Sequence, residues 1–151
     1  FKIGVSVYDQ KYILAGLKNK KIDIVEAPGS ILDQRINNLN EYRKEIKKKL
    51  FLRSIFLQGI LLTKPNKIKS KVLKKKVLEI TQLSKKIKMS KLSLCVNFAL
   101  QILNPNKIIF GIADKKQLKK FIKIKYNFLN KNIDFKKFEI LNYNLVDPRK
   151  W

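Results

Sequence analysis

The sequence predicts an α/β protein built on a parallel sheet, and two observations lead to this fold class. Strand-like and helix-like segments alternate along the chain in the order β-α-β-α-β-α-α-β-α, followed by an irregular tail. The third and fourth strand segments are nearly continuous apolar runs, which is typical of strands covered on both faces. Strands separated by helices pair in parallel through right-handed crossovers. An open doubly wound sheet and part of a (β/α)8 barrel both fit this order.

Four segments are short, apolar and rich in β-branched residues, which predicts strands. In chain order they are residues 2–7, 21–27, 50–62 and 107–111. The third segment, LFLRSIFLQGILL, is the longest and contains Gly59 near its end.

Five further segments have the spacing of apolar residues that predicts helices. In chain order they are residues 9–20, 40–49, 69–88, 90–103 and 112–129. Asp9, Ser90 and Asp114 stand at the starts of three of them, where a side-chain oxygen caps the first turn. We expect a loop with a short turn of helix over residues 28–40, a loop over residues 63–69, and an irregular, aromatic-rich tail over residues 131–151.

The composition indicates one domain with a strongly basic surface. The 151 residues are enough for one ordinary domain, and 45% of them are hydrophobic, so we expect a buried core. The 35 Lys and Arg residues outnumber the 11 Asp and Glu residues, and the net charge of +24 favours anionic partners. Because Lys, Ile and Asn share AT-rich codons and the lysines fall mainly on helix-like stretches, we interpret most of this charge as solvated helix faces.

The chain has a single cysteine, Cys95, and no histidine. This composition excludes a disulfide framework, a thiol metal cluster and histidine-based acid–base catalysis within these residues. Cys95 lies in the apolar segment LSLCVNFAL, so we expect it in the core. No apolar run approaches the length of a membrane span. We therefore expect a cytoplasmic protein with no metal and no membrane contact.

Ligands of parallel α/β folds bind at the carboxyl ends of the strands. The polar residues at these four ends are candidate site residues: Ser6, Tyr8, Glu26, Arg53, Ser54, Gln58, Lys115 and Gln117. Gly111 allows a ligand to approach the backbone, and the lysine-rich helix start after it predicts a phosphate site. Arg53 stands in a core-like strand, so it is either ion-paired, with Asp33, Glu26 or another carboxylate, or a planar cation at the floor of a site.

Several stretches, in the same order, resemble the carboxyl-terminal half of aldo/keto reductases. They are IGVSVY, IDIVEAPGSILDQR, RSIFLQGILL, NFALQILNPNKIIFGIADKKQLKK and the closing LVDPRKW. The resemblance covers essentially the whole chain, and RSxFLQGxLL, F-G-x-x-x-x-x-Q-L and D-P-R-K-W are its most specific parts. It implies strands five to eight of a (β/α)8 TIM barrel with outer helices, and hence one partial domain over residues 1–151 whose amino-terminal half is missing.

The resemblance also implies an activity, which is the reduction of a small carbonyl substrate by NAD(P)H without a metal. This chain would hold the cofactor, NADP with NAD as the alternative, through Ser6, Glu26, Arg53, Ser54, Gln58, Gly111, Lys115 and Gln117. The family's catalytic residues would lie upstream of Phe1. We therefore expect no catalytic residue in this segment and no activity from it alone.

The residues implied for the nicotinamide end match the family in part. Ser6 matches a serine that contacts the carboxamide, whereas Val7 replaces the neighbouring asparagine. Glu26 stands where a glutamine contacts the same amide, and Arg53 stands where an aromatic ring stacks on the nicotinamide. The resemblance therefore implies that Arg53 keeps a flat group there but changes the stacking chemistry.

The residues implied for the adenosine end also match in part. Ser54 and Gln58 follow the family's loop towards the pyrophosphate, and Gln117 matches an adenine-side residue. Phe121 replaces the usual asparagine, and the arginine that often grips the 2′-phosphate is absent. The choice between NADP and NAD is open at this point, with Lys115 or Lys116 as the residues that would compensate.

Two other hypotheses come from different classes of protein. A small basic RNA-binding protein of the ribosomal type would explain the net charge of +24 directly, but not the polar residues at four strand ends. A flavodoxin-like binding module without catalysis is the third hypothesis. We favour the reductase and expect no nucleic-acid partner.

Overall fold

The computed structural model describes residues 1–39 and 48–151 and is built around a parallel sheet. Its four strands are β1 (Gly4–Ser6), β2 (Ile24–Pro28), β3 (Lys49–Arg53) and β4 (Lys107–Ile108). Each strand pairs in parallel with the next one along the chain, so the strand order is β1-β2-β3-β4. The predicted α/β class with a parallel sheet is confirmed.

Four α-helices are found in the described ranges 1–39 and 48–151. They are α1 (Gln10–Lys18), α2 (Lys71–Lys86), α3 (Lys91–Phe98) and α4 (Lys115–Ile122). α3 continues into a π-helical turn over Ala99–Leu103. None of these helices is both long enough and apolar enough to span a bilayer. The helix predicted over residues 40–49 falls mainly on residues 40–47, which lie outside the described ranges.

Two of the three predicted helix caps form as the sequence indicates. The Ser90 hydroxyl accepts a hydrogen bond from the Ser93 amide, and the Asp114 carboxylate accepts one from the Gln117 amide. Asp9 also precedes its helix as predicted, but its side chain makes no capping bond. That carboxylate instead lies 3.8 Å from Nη2 of Arg149.

The third strand is shorter than predicted, and this is the main correction to the sequence-based fold. The prediction of a strand over residues 50–62 is wrong after Arg53, because the chain turns there. Positive φ angles occur at Ser54, Leu57, Gln58 and Gly59, and a 3-10 helix follows over Ile60–Leu62. Ile55, Leu57 and Leu61 are nevertheless buried. The hydrophobicity of residues 50–62 predicted their burial but not the backbone conformation after Arg53.

Other predicted elements are also shorter in the structure. The fourth strand, predicted over residues 107–111, pairs only over Lys107–Ile108. The last helix, predicted over residues 112–129, ends at Ile122. Beyond it the tail contains only 3-10 turns, as expected for an irregular segment. Cys95 is fully buried in α3 as predicted, and burial raises the pKa of its thiol to about 12.

The turn after β3 gives a direct stability test at Gly59. Its φ of 85° is left-handed, and a Cβ added there would meet no atom within 4 Å. Gly59→Ala therefore adds only backbone strain, and we expect it to lower the free energy of unfolding by about 1 kcal/mol. Gly111 has the same open surroundings without a positive φ, so Gly111→Ala is the matched control and should cause no loss. Equal losses in urea denaturation would contradict this account of the turn.

The two faces of the sheet differ in chemistry. Strand residues alternate between faces, and the register aligns Val5 with Val25 and Val25 with Leu50 on one face. Gly16 of α1 packs there, since a Cβ at Gly16 would lie 3.0 Å from the Val5 and Val25 side chains. The opposite face aligns Ser6 with Glu26 and is only partly covered. The polar residues at the strand ends are therefore gathered on the open face.

Candidate functional site

The carboxyl ends of β3 and β4 border an open cleft of about 910 Å³. Five of the eight residues that the resemblance implies for cofactor binding line it: Arg53, Ser54, Gln58, Gly111 and Gln117. They come from the last residue of β3 and the turn after it, the segment after β4 and the first turn of α4. The fold therefore brings separate chain segments to one mouth at the carboxyl edge of the sheet.

The other three predicted residues do not line this cleft, and two of them are connected to it. The Ser6 hydroxyl donates to the Glu26 carboxylate over 2.9 Å, and the same Glu26 oxygen lies 3.0 Å from Nε of Arg53. Lys115 is exposed outside the cleft, whereas Lys120 of the same helix lines it. Of the α4 lysines expected to reinforce a phosphate site, which were Lys115, Lys116, Lys119 and Lys120, only Lys120 lines the cleft.

Arg53 combines the two roles that the sequence left open. It is ion-paired with Glu26, one of the predicted partners, and not with Asp33. Its guanidinium carbon also lies 3.9 Å from the centre of the Tyr8 ring, while the residue lines the cleft. Arg53 is therefore a flat cation in a defined position at the cleft wall.

Three aromatic rings form an apolar wall of the cleft. Phe56 and Phe110 are stacked with their ring centres 5.9 Å apart. Phe121 of α4 contacts both rings, at 5.5 Å from Phe56 and 4.8 Å from Phe110. Such a cluster presents apolar ring surface to a planar ligand group. In the sequence, Phe121 was notable only as a departure from the family pattern. The three rings meet because the turn after β3 brings Phe56 to the other two.

The charges around the cleft are of one sign. Among the described residues that line it, Arg53, Lys91 and Lys120 are cationic and none is a carboxylate. Lys91 is held in place because its ammonium group donates to the Thr63 carbonyl over 2.7 Å. Burial lowers the pKa of Lys91. Because Glu26 already pairs with Arg53, Lys91 and Lys120 are the lining cations that remain to attract an anionic ligand.

The start of α4 is less available to phosphate than the sequence indicates. The Gln117 amide donates to the Asp114 carboxylate over 2.7 Å, and the Ala113 amide donates to the Gln117 side-chain oxygen over 3.1 Å. Two of the amides at this helix start are thus already paired, one of them with an anion. A phosphate near α4 would depend on the lysine side chains more than on these amides.

A second cavity, of about 430 Å³, lies beside the end of β1 and was not predicted. Its lining includes Asp9, Arg35, Tyr143, Asp147 and Arg149, so the carboxyl-terminal segment forms much of it. No residue spacing in the sequence predicted this cavity, because its residues come from distant parts of the chain.

Arg35 is the most unexpected residue at this second cavity. It is only 2% exposed, and its Nε lies 2.7 Å from the Asp33 carboxylate. Its Nη1 donates to the Tyr8 carbonyl over 2.8 Å, and its guanidinium carbon lies 4.3 Å from the centre of the Tyr143 ring. One buried guanidinium therefore joins the loop after β2, the end of β1 and the carboxyl-terminal segment.

The buried Asp33–Arg35 pair is not fully satisfied. Burial raises the pKa of the Asp33 carboxyl, and the adjacent Arg35 guanidinium offsets only part of that rise. Asp33 Oδ2 and Arg35 Nη2 are buried without a hydrogen-bond partner. The sequence signal that was available is an Asp and an Arg two residues apart between Leu32 and Ile36, inside an apolar stretch.

Metal ligands are not grouped in the part of the chain that the structure describes. No set of three His, Cys, Asp or Glu side chains is arranged there to hold a metal ion. The first cleft is lined by cations, aromatic rings and amides, whereas the carboxylates of Asp9 and Asp147 also line the second cavity.

Comparisons with known proteins do not assign the chain to a family. No protein-family model matches it, and a search of curated proteins also finds no match. The fold and the cleft together define a class, which is an α/β protein with a cation-lined cleft at the carboxyl edge of a parallel sheet.

Proposed function

We propose that this chain is the cofactor-binding half of an NAD(P)H-dependent aldo/keto reductase, and that the cleft beside β3 and β4 binds the dinucleotide. The observation that carries the proposal is the meeting of Arg53, Ser54, Gln58, Gly111 and Gln117 at one cleft. All five are among the cofactor-binding residues that the sequence resemblance implies.

The strand order supports the barrel over the flavodoxin-like module. A doubly wound sheet reverses its strand order at a switch point, and ligands bind at that point. The four described strands follow one another without such a reversal. Strands that succeed one another in this way are the arrangement of a (β/α)8 barrel, in which the site lies at the carboxyl end of the strands.

The cleft has the chemistry that a dinucleotide requires. Lys91, Lys120 and Arg53 provide positive charge for phosphate groups, and Phe56, Phe110 and Phe121 provide ring surface for a base. The flat Arg53 guanidinium would lie against the nicotinamide, fixed there by Glu26. When bound, NADPH supplies the hydride that reduces a small carbonyl substrate. NAD remains the alternative cofactor, since no arginine takes the usual 2′-phosphate position.

A second candidate function has one observation in its favour. Nucleic-acid channels combine lysines with aromatic platforms on which bases stack, and this cleft joins both features in a chain of net charge +24. Binding to RNA would then depend on phosphate neutralisation and fall steeply with salt.

The test is dinucleotide binding by the protein that carries this chain, measured by calorimetry with NADPH and NADH. Lys120→Met should weaken NADPH binding roughly tenfold, because a charge-assisted contact to phosphate is lost. Lys119→Met is the matched control, since Lys119 is its exposed neighbour on α4 and does not line the cleft. Absence of dinucleotide binding, or equal effects of the two substitutions, would overturn the proposal. Steeply salt-dependent binding to unrelated RNAs would favour the second candidate.

A further inference from the structure

The ring of Tyr8 is held between two arginines. The guanidinium carbon of Arg53 lies 3.9 Å from the ring centre, and that of Arg149 lies 3.7 Å from it. Two guanidinium groups at these distances cannot share one face of a ring, so they lie on opposite faces. Both distances are within the range of a favourable cation–π contact.

Each arginine of this stack has its own carboxylate. Arg53 pairs with Glu26 at 3.0 Å, and Arg149 pairs with Asp147 through Nη2 and Oδ2 at 2.6 Å. Arg149 Nε also donates to both Asp147 oxygens, which fixes the plane of its guanidinium. The order Asp147–Arg149–Tyr8–Arg53–Glu26 therefore has a carboxylate at each end, and these two carboxylates offset the repulsion between the two arginines.

The stack connects the carboxyl-terminal segment to the cleft. Arg149 belongs to the last 3-10 turn of the chain, Pro148–Lys150. Arg53, at the other end, lines the cleft. The Tyr8 carbonyl is itself fixed by Arg35, so the ring is restrained at its backbone as well as on its faces. Movement of Arg149 would thus release one face of Tyr8 and loosen its contact with Arg53.

We propose that Arg149 is a positioning residue for the cleft. Through the Tyr8 ring it holds the Arg53 guanidinium against Glu26, and so couples the carboxyl-terminal segment to ligand binding. The identity of the ligand, a nicotinamide dinucleotide, rests on the proposed function, whereas the coupling between Arg149 and Arg53 rests on contacts alone.

The first arm of the test needs no ligand. The Nε–H signal of Arg53 in a ¹⁵N NMR spectrum of the protein that carries this chain, assigned by Arg53→Lys, reports its bond to Glu26. Arg149→Met and Tyr8→Leu should each shift and broaden this signal, whereas Tyr8→Phe keeps a ring between the arginines and should leave it in place. Lys150→Met is the control, since Lys150 is the exposed neighbour of Arg149. An unchanged signal in a folded Arg149→Met protein would overturn the inference.

The second arm measures NADPH affinity. Arg149→Met should weaken binding about fivefold to tenfold, the effect of losing one cation–π restraint, and should add nothing in a Tyr8→Leu background. Equal losses in both backgrounds would overturn the coupling through Tyr8. If the natural protein binds no dinucleotide, the proposed function fails, and the first arm decides the coupling by itself. Thermal unfolding of each variant checks that it is folded, which matters for Arg149→Met because its partner Asp147 is buried and loses its cation.

Discussion

Arg35→Met is expected to destabilise the protein by about 3–5 kcal/mol, because it leaves a buried carboxylate without its cation. Asp33 and Arg35 are each about 2% exposed, and their ion pair spans 2.7 Å. The substitution also removes the donor to the Tyr8 carbonyl and the cation over the Tyr143 ring. Among the described residues, no other cation lies as close to Asp33 as Arg35 does. The stability lost in Arg35→Met should therefore exceed the stability lost when any exposed ion pair of these residues is removed.

The stability lost in Arg35→Met should depend on pH, and the direction of this dependence follows from the pKa of Asp33. Burial raises the folded-state pKa of Asp33 above its ordinary value of 3.8, so between the two values the folded protein binds more protons than the unfolded chain. The free energy of unfolding therefore falls as the pH rises through this window. Arg35 lowers the pKa of Asp33, so removing it widens the window. The deficit of Arg35→Met should be largest at neutral pH and should shrink under mildly acidic conditions.

Urea denaturation at neutral and mildly acidic pH measures both effects. The double variant Asp33→Asn/Arg35→Met carries no charge at this site, so its deficit should be smaller than that of Arg35→Met and should not change over the same pH range. Glu79→Gln is the partly exposed control, because its pair with Lys76 spans 3.9 Å, is only partly buried and should contribute less than about 1 kcal/mol. A deficit of Arg35→Met that is the same at both pH values would contradict the assignment to Asp33.

Local rules predicted the parts of the fold that depend on neighbouring residues. Ser90 and Asp114 form their caps because a cap needs only an amide two or three residues away. The alternation of apolar strands and helices likewise predicted the parallel sheet, since parallel neighbours require a crossover between them. The gathering of Arg53, Ser54 and Gln117 at one cleft follows from the same topology.

Features that depend on backbone geometry or on distant residues were not predictable in the same way. Leu57 and Gln58 have positive φ angles although neither residue type favours them, so the turn after β3 had no local signal. The Arg149–Tyr8 contact joins residues from opposite ends of the chain. Arg35 is buried because three separate segments close around it, and the sequence shows only that an arginine lies in an apolar stretch.

Produced by itself, the 151-residue chain is expected to self-associate. β1 pairs with β2 on one side, and no other strand of the described residues pairs with its second side, so the backbone groups of that edge are available to another chain. Apolar side chains are also exposed, with Ile3 beside this edge 57% accessible and Phe128 86% accessible. Both features favour association through the open edge and the partly covered face of the sheet.

The net charge of +24 opposes this association, so the expected behaviour depends on salt. The Debye length falls from about 10 Å at 0.1 M salt to about 3 Å at 1 M, which removes most of the repulsion between chains while burial of apolar surface is kept. Sedimentation velocity should therefore show larger species as salt is added. Ile3→Lys, which places a charge beside the open edge, should suppress them, whereas Leu78→Lys on an exposed position of α2 should not. A monomer at both salt concentrations, with a sharp and reversible thermal transition, would contradict this expectation. It would mean that the backbone groups of the sheet edge are paired within this chain. The physical reason for expecting a further half of the barrel would then be removed.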